Sequence, residues 1–537
     1  MFLTSLERYE PPYREFIKMM SPFVLNFTEE DAGRVVAVAG ERVADSAAAL
    51  ELFVRDGILT KNGERYAFAL DVLKKALYAS LLNHNKRLIH GAIADLMLES
   101  PRPNRLRLLH HLLRAERWPE AAAAMLKDPA RNYNYEYLEY LDPLYRRLTK
   151  GSPDQAMQLL ILKSALLFNA GKIDEAEQEL KNIMKAAVSQ QNDHCMGFAY
   201  HMICAHAAMS YSFQKARFTG QKALYYYRGA GMSPRSVQNV IRTIAWTEIQ
   251  KNNFEEAKAL IDQTERIPDR DSFELASARA ELRLYAGDYR GALAALDRQG
   301  SGPNDDGYDA VARFFGMDLR IKALWQLCDF PALGQAARDL LAAGSLSESI
   351  LAQAHAMAAC SHALAGAGED ARDSFLRAEF YAGQIRNDFD RVDALRSLAL
   401  CRLVSGDTRK AESTAKDALI PALRHCCYYP AFTLLMILVG LELARGKREE
   451  ARFYLKEASY SFTTGLLLPY KDVILYYFYA ASLFEGESAE RAPGIALKLL
   501  EDEKARLGKP ELVASFLSIR GFGDIERRLA GAGGQAS

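Results

Sequence analysis

The sequence has no excess of charge of either sign. Its 68 Lys and Arg balance 68 Asp and Glu over 537 residues, so no global field draws it to nucleic acid or to an anionic membrane. It also lacks a long apolar run. The most apolar stretch, Ala431 to Ala444, is interrupted by Glu442 and is too short to span a bilayer. The first residues, MFLTSLERYEPPYREF, contain no apolar core of signal-peptide length. Cysteine is sparse. The seven, Cys195, Cys204, Cys328, Cys360, Cys401, Cys426 and Cys427, are odd in number and no pair has C-x-x-C spacing. Most lie in apolar helical patterns, where a free thiol behaves as a small hydrophobe. That usage fits a reducing, cytoplasmic compartment. What is present is 49% hydrophobic and 25% charged, the profile of an ordinary globular chain, which excludes wholesale disorder and a small stapled scaffold. Length alone suggests three or four domains at ~150 residues each, unless the chain is a repeat array, which grows without new cores.

A short pattern recurs: a Gly or small residue, a polar residue, an aromatic or aliphatic, two variable residues, then Ala. It reads Gly171-Lys172-Ile173-Asp174-Glu175-Ala176, then Asn252-Asn253-Phe254-Glu255-Glu256-Ala257 and Gly287-Asp288-Tyr289-Arg290-Gly291-Ala292. It returns as Gly406-Asp407-Thr408-Arg409-Lys410-Ala411 and Gly446-Lys447-Arg448-Glu449-Glu450-Ala451, with weaker copies ending at Ala216, Leu333 and Ala371. From Ala176 onward the closing residues lie 40, 41, 35, 41, 38, 40 and 40 apart. An outlying early copy is Glu116-Arg117-Trp118-Pro119-Glu120-Ala121. The Gly ends one helix in the left-handed conformation, the polar residue starts the next, and the Ala lets the two approach closely. Apolar residues at helical spacing flank each turn, as Leu159, Leu162, Leu166 and Leu167 do before Gly171. Each unit is therefore an antiparallel helix pair, and stacked pairs bury a continuous core.

These residues resemble the tetratricopeptide repeat. The Gly287 to Ala292 turn is a close match to that family, over a period of ~40 rather than 34 residues. The likeness covers roughly residues 105–500. It implies an all-α, right-handed solenoid of helix pairs.

Residues 1–100 do not follow the period. Thr28-Glu29-Glu30-Asp31 starts a helix through Val38, and a second runs from about Asp45 to Arg55 and stops at Asp56-Gly57. Asn62-Gly63 between Ile58-Leu59-Thr60 and Arg65-Tyr66-Ala67-Phe68 predicts a β-hairpin. Further helices are expected from Asp71 to about Leu82 and from Lys86 to Leu98. Helix, helix, hairpin is a winged-helix outline. Phe68, Asp71, Ala76, Leu77, Tyr78 and Leu81, continued by Arg87, His90, Ile93 and Ala94, resemble the segment that closes the winged helix of STAND-type signalling ATPases. That group includes maltotriose-responsive activators and multidomain adenylate cyclases. His110-His111-Leu112-Leu113-Arg114-Ala115 with Trp118 resembles their first helical repeat. Leu70 stands where that family has His, and no G-x-x-x-x-G-K-[ST] loop occurs. The resemblance therefore implies the regulatory half of such a protein without its NTPase module. It implies a winged helix serving as an internal joint. Its second helix carries Arg55 against Asp45, Glu51 and Asp56, and residues 1–100 carry 12 basic against 14 acidic side chains, so nucleic-acid binding is not expected.

No H-E-x-x-H, G-x-S-x-G or strand-following G-x-G-x-x-G motif is present, so no catalytic residues, cofactor or metal are expected. His194, Cys195, His201, Cys204 and His206 cluster in sequence. Only His201 and Cys204 share a helix face, short of the four ligands zinc needs. His425-Cys426-Cys427 and Cys360 with His362 diverge in the same way. Tyrosines crowd Tyr133, Tyr135, Tyr137, Tyr140 and Tyr145, and recur as Tyr225-Tyr226-Tyr227, Tyr428-Tyr429 and Tyr476-Tyr477-Phe478-Tyr479. Consecutive aromatics on a helix point different ways, so they either fill gaps between long helices or leave the core for a partner surface.

The expected division is an adaptor over 1–100, a connecting helical repeat over 101–150, about eight or nine pairs over 151–505, and a C-terminal helix with a flexible tail over 506–537. The expected function is a non-enzymatic protein-interaction module in bacterial cytoplasmic signalling, holding a partner protein or peptide in the superhelix groove, with a separate NTPase as one possible partner. The alternative is the small-molecule sensor half of a STAND-type regulator or cyclase. Tyr137, Tyr140, Tyr226, Arg242, Trp246 and Arg283 are the expected exposed groove residues.

Overall fold

The computed structural model describes residues 6–39, 45–100, 103–128, 135–232, 234–264, 273–297, 307–343 and 347–533. The chain divides into two compact units, one of residues 1–131 and 136–162, the other of residues 132–135 and 163–537.

The first unit opens with helices α1 (Pro11–Met20), α2 (Glu29–Ala39) and α3 (Ser46–Arg55), then strands β1 (Leu59–Asn62) and β2 (Arg65–Phe68). The strands pair antiparallel with Asn62 opposite Arg65, so Asn62 and Gly63 sit at the turn where the sequence places them. Phe27 adds a single bridge to Tyr66, its N–H donating to the Tyr66 carbonyl at 3.0 Å and its carbonyl accepting in return at 2.8 Å. Helices α4 (Asp71–Ser80), α5 (Asn83–Glu99), α6 (Arg105–Arg114), α7 (Trp118–Leu126) and α8 (Leu138–Leu148) follow. Phe16, Phe27, Leu50, Phe53, Leu59 and Leu77 are buried together in one core, so the hairpin is held by aromatic packing rather than by its short ladder. This unit takes in both the segment expected as an adaptor and the connecting repeat.

The rest of the chain is helix pairs. They are α9 (Pro153–Asn169) with α10 (Ile173–Gln190), α11 (Asp193–Met209) with α12 (Phe213–Gly229), and α13 (Pro234–Gln250) with α14 (Phe254–Thr264). Then come α15 (Phe273–Tyr285) with α16 (Tyr289–Asp297), α17 (Gly307–Leu327) with α18 (Phe330–Ala342), and α19 (Glu348–Leu364) with α20 (Gly368–Gln384). The series closes with α21 (Asp388–Val404) and α22 (Thr408–Arg424), α23 (Tyr428–Ala444) and α24 (Arg448–Thr463), α25 (Tyr470–Leu483) and α26 (Glu487–Leu507), and α27 (Pro510–Ser518) with α28 (Phe522–Gly533). Residues 534–537 of the expected tail lie outside the described residues.

The turn chemistry explains the regularity. The residue two before each second helix has positive φ at every copy from Gly171 to Gly446, including the non-glycines Tyr211, Asn252 and Cys328. A left-handed residue there reverses the chain in three residues. Asp329 and Asp407 then cap the following helix, their side chains accepting from the N–H of Ala332 and Lys410. The fourth residue of each second helix, from Ala176 through Leu333 to Ala451, is buried against its partner helix. At seven of the eight copies that residue is Ala, whose small side chain allows the close approach, and Leu333 is the exception.

The second unit then meets itself one turn later. Asn387 donates to the Phe168 carbonyl at 3.2 Å, 219 residues away, and the Leu467 N–H donates to the Gln250 carbonyl at 2.8 Å. Tyr211 packs edge-on against Tyr428 at 6.1 Å. Tyr289 donates to Glu503 at 3.2 Å across 214 residues, and Arg290 donates to the Leu507 carbonyl across 217. A single sequence offset that recurs along the array defines one superhelical turn, roughly five and a half helix pairs long at a period near 40 residues.

Candidate functional site

Where the two turns overlap, the first helices of successive pairs enclose a cavity of about 880 Å³. That volume lies within the range of ligand-binding clefts. Its wall is aromatic and aliphatic: Trp246 of α13, Phe315 and Trp325 of α17, Met357 of α19, Phe389 of α21 and Phe462 of α24. Phe254, Tyr285, Tyr429 and Tyr470 complete it. Helical spacing aims these side chains inward, because each first helix presents one stripe to the axis and the opposite stripe to its second helix.

A charged cluster lies in the same wall. Glu281 of α15, Lys322 of α17, Gln353 of α19, and Asp390, Asp393, Arg396 and Ser397 of α21 all line the cavity. Lys322 pairs with Asp318 one helical turn before it at 2.8 Å, and Arg396 pairs with Asp393 at 2.7 Å. Arg242 reaches to 4.0 Å from Glu281 while its guanidinium lies 4.5 Å over the Phe315 ring. Burial raises Glu281, and Arg242 and Lys322 only partly offset it. Burial would also raise Asp393, but Arg396 and Lys322 together hold it below the usual carboxylate range. Burial works against Lys322, and the attraction of Asp318 and Asp393 overcomes it, so the ammonium is kept charged. Asp390 goes the other way. Burial and the neighbouring Asp393 push it up to about 6, with only Lys322 opposing. The Tyr285 hydroxyl, desolvated beside this cluster, is raised to about 12. The site can therefore bind and orient a ligand with both an apolar body and a polar end.

The expected groove residues separate. Trp246 lines the cavity and Arg242 belongs to its charged cluster. Arg283 instead donates to the Gly291 carbonyl at 3.0 Å, fastening α15 to α16. Tyr226 stacks on Tyr200 at 5.6 Å between α11 and α12. Tyr140 is half-buried on α8 of the first unit. Tyr137 corrects the expectation that it is exposed. It is 1% exposed and its hydroxyl donates to Asp128 at 2.5 Å, because the short turn leading into α8 tucks it under the first unit. Tyr133 lies outside the described residues. Tyr476 and Tyr477 pack on Phe462 at 4.5 and 5.8 Å, and Tyr429 meets Tyr285 at 6.0 Å, so these runs fill gaps between helices, while Tyr225 stands out at 71% exposure.

His206 stacks on Phe168 at 3.7 Å and His201 lies 3.5 Å from the Thr243 hydroxyl. Among the described residues no group of three or more His, Cys, Asp or Glu is placed to hold a metal ion. All seven cysteines are free thiols, and six are buried. No described helix is long and apolar enough to cross a membrane.

Sequence reading missed Glu281, Lys322, Asp390, Asp393 and Arg396. The signal was the charge density of Asp388 to Arg396 at the start of a first helix, in an array whose next first helix, α23, is buried on nearly every side.

No protein-family model matches the chain, and no curated protein matches it. Among solved structures, one similar chain is a signal transduction ATPase with numerous domains that has a tetratricopeptide repeat sensor, from Pyrococcus horikoshii. It is 14% identical with a TM-score of 0.33, over 84% of this chain and 63% of that one. The chain thus spans under two thirds of that protein's length. A Rap protein complexed with competence and sporulation factor is 13% identical with a TM-score of 0.41, over 62% of this chain and 99% of that one. The P58(IPK) TPR domain is 14% identical with a TM-score of 0.19, over 74% and 98%. The fold rests on the chain's own helix pairs.

Proposed function

We propose that this chain is a non-enzymatic recognition module that takes its ligand in the cavity on the superhelix axis. The cavity carries this reading: about 880 Å³ lined by aromatics from both turns, with a charged cluster at one wall. A ligand seated there touches α13, α15 and α17 of one turn and α24 and α25 of the next. Occupancy would therefore strengthen the stacking of the turns, which is how a binding event becomes a mechanical signal. A short peptide segment of a partner protein and a small organic molecule both fit this volume.

A second reading adds a protein partner on the outer surface. Phe380, Ile420 and Tyr460 occupy the same position of α20, α22 and α24 and are 62%, 66% and 57% exposed. Leu376, Leu423 and Phe453 are exposed on the same helices. A large apolar ridge of this kind favours protein contact.

In this proposal the helix–helix–hairpin segment is a winged-helix adaptor and the chain serves bacterial cytoplasmic signalling beside a separately supplied NTPase. The residue pattern from Phe68 to Ala94 supports the adaptor, and the free thiols fit a reducing compartment.

The test uses tryptophan fluorescence. Two of the three tryptophans, Trp246 and Trp325, line the cavity. In a Trp118→Phe background, titration with peptide and metabolite fractions is expected to shift or quench their emission saturably. Fractions that raise the melting temperature without touching this emission would move the site elsewhere.

A further inference from the structure

The cavity wall carries Glu281, Asp390 and Asp393 against Lys322, Arg396 and Arg506, but these charges are not all paired with one another, since Arg506 pairs with Glu503 behind the wall. Arg242 faces Glu281, Lys322 faces Asp318 and Arg396 faces Asp393. Asp390 is left over: among the described residues no Lys, Arg or His nitrogen lies within ion-pair distance of its carboxyl group. Its partial exposure opens onto the cavity that it lines. A second group is left over on the same helix face. Ser397 is fully buried, lines the same cavity, and among the described residues its hydroxyl has no hydrogen-bond partner. Asp390 and Ser397 are seven residues apart on α21, two turns and about 10 Å along the axis, so both point the same way. Phe389, Phe315, Trp325 and Trp246 supply aromatic surface around them. Unpaired carboxylate and aromatic wall together describe the complement of one kind of ligand, with Ser397 marking its far end.

We infer that the cavity recognises a ligand with a single positive charge, an ammonium or guanidinium group set on Asp390 and carried by an apolar body that reaches toward Ser397. This rests on the reading of the cavity as the ligand site. The cation would complete the fourth ion pair of the cluster, and the aromatic rings favour cations over anions. An anionic ligand would add its repulsion to that of Asp393, and a neutral one would cover Asp390 without supplying a counter-charge.

The ionisation of Asp390 gives the inference its own signature. The charges acting on it are Asp393 from its own helix and Lys322 from α17. Arg396 of the same helix, Glu281 and Tyr285 of α15, Gln353 of α19 and Arg506 of α26 line the same cavity. With Asp390 raised to about 6, the free site is largely protonated at pH 5.5. Cation binding favours the carboxylate, so a proton leaves as the ligand enters.

The experiment compares three molecules of one shape: 4-phenylbutylamine, 4-phenylbutanol and 4-phenylbutyrate. Each is titrated into the full chain by calorimetry, with the emission of Trp246 and Trp325 followed in parallel. The amine is expected to bind at least tenfold tighter than the other two. It should release about three-quarters of a proton at pH 5.5, read from buffers of different ionisation heat, and almost none at pH 8. Asp390→Asn should abolish the preference and the proton release without reducing alcohol binding. Its melting temperature should hold or rise, because a buried carboxyl without a counter-ion is removed. Ser397→Ala, at the far end of the site, removes a buried hydroxyl that a phenyl ring cannot satisfy, so amine affinity should hold or rise slightly, and a large loss would count against this placement of the apolar body. An acetylated, amidated Phe-Lys dipeptide run beside the free amine tells whether a peptide side chain or a small amine is the better source of the charge. Equal or tighter binding of the alcohol or the acid, with the tryptophans responding, would leave the cavity as the site and overturn the cation. Silence from all three at millimolar concentration overturns both.

Discussion

The amide of Leu467 donates to the carbonyl of Gln250 at 2.8 Å, joining the turn before α25 to the end of α13. Backbone groups so far apart in sequence meet only if the array has come full circle. Phe168 with Asn387, and Tyr289 with Glu503, repeat the relationship. Each replaces water on a group that an open superhelix would leave solvated.

The first prediction isolates this contact between turns. Gly171 has φ of +75°, and a Cβ there would lie 2.6 Å from the carbonyl oxygen of Arg386. Gly406, at the same place in its own pair, has φ of +84° and open space around it. Gly406→Ala is expected to cost about 1 kcal/mol, the left-handed penalty alone. Gly171→Ala should cost about 2 kcal/mol or more, the excess reporting the displaced turn. Urea unfolding of both variants checks it, and equal losses would remove the contact from the stability of the array.

A second prediction concerns the buried ion pair that holds α25 and α26. Lys471 lies 3.6 Å from Glu503 and donates to the Gln326 carbonyl at 2.6 Å, and all but a few per cent of both residues is buried. Lys471→Met leaves Glu503 with Tyr289 and with the less buried Arg506, which also lies 3.6 Å away. The expected loss is about 3 kcal/mol. Glu503→Gln, which can still accept from Tyr289, should lose less. Chemical denaturation followed by circular dichroism measures both.

The third prediction is a contrast at one structural position. Ala411 and Leu333 each stand fourth in a second helix, and both are fully buried. Leu333→Ala opens a hole and should cost about 2–5 kcal/mol. Ala411→Leu overfills its site and should cost about 1–3 kcal/mol. If both substitutions were neutral, the spacing of the helices would not be set at this residue.

The fourth prediction is acid sensitivity of the first unit. His90 and His111 face each other through their Nδ1 atoms at 2.8 Å, and Tyr78 lies 3.0 Å from the other nitrogen of His90. One imidazole must donate and the other accept, so the pair is neutral. Burial, reinforced by neighbouring positive and imidazole groups, pushes both down to about 3. In the unfolded chain each titrates near 6.5. The unfolded state therefore binds more protons as pH falls below 6.5, and stability declines from there toward pH 3. The slope is up to about 1.4 kcal/mol per pH unit for each histidine. The emission of Trp118, the one tryptophan of this unit, reports its unfolding across pH 7 to 4. His111→Gln should flatten that slope, and an unchanged slope would clear the pair of responsibility.

The helix pairs were legible because their turns need a left-handed residue and, five positions on, a residue that is small in all copies but one, demands that stamp Gly and Ala onto the sequence at a fixed interval. Even so, Tyr211, Asn252 and Cys328 carry the same backbone conformation without glycine, so the turn is imposed by the packing of its helices as much as by its residue type. The cavity was legible only in part. Trp246 announces itself as a large aromatic, but Asp390, Lys322 and Glu281 read as ordinary solvated charges on amphipathic helices. They converge because the first helices α15, α17 and α21, from three different pairs, turn the same stripe toward one axis, and no local pattern encodes that axis. Tyr137 failed for the converse reason, since a tyrosine-rich stretch reads the same whether its hydroxyl finds water or Asp128.

A linear stack of repeats, pulled from its ends, gives way pair by pair like beads leaving a string. This array has rungs between its coils. Force that draws the coils apart must break the backbone bond at Leu467, the Asn387 amide and the Tyr289 hydroxyl bond before the pairs they hold can peel. The chain should therefore behave as a latched spring, rigid up to one threshold and compliant beyond it, and a ligand that bridges the two coils would set how high that threshold stands.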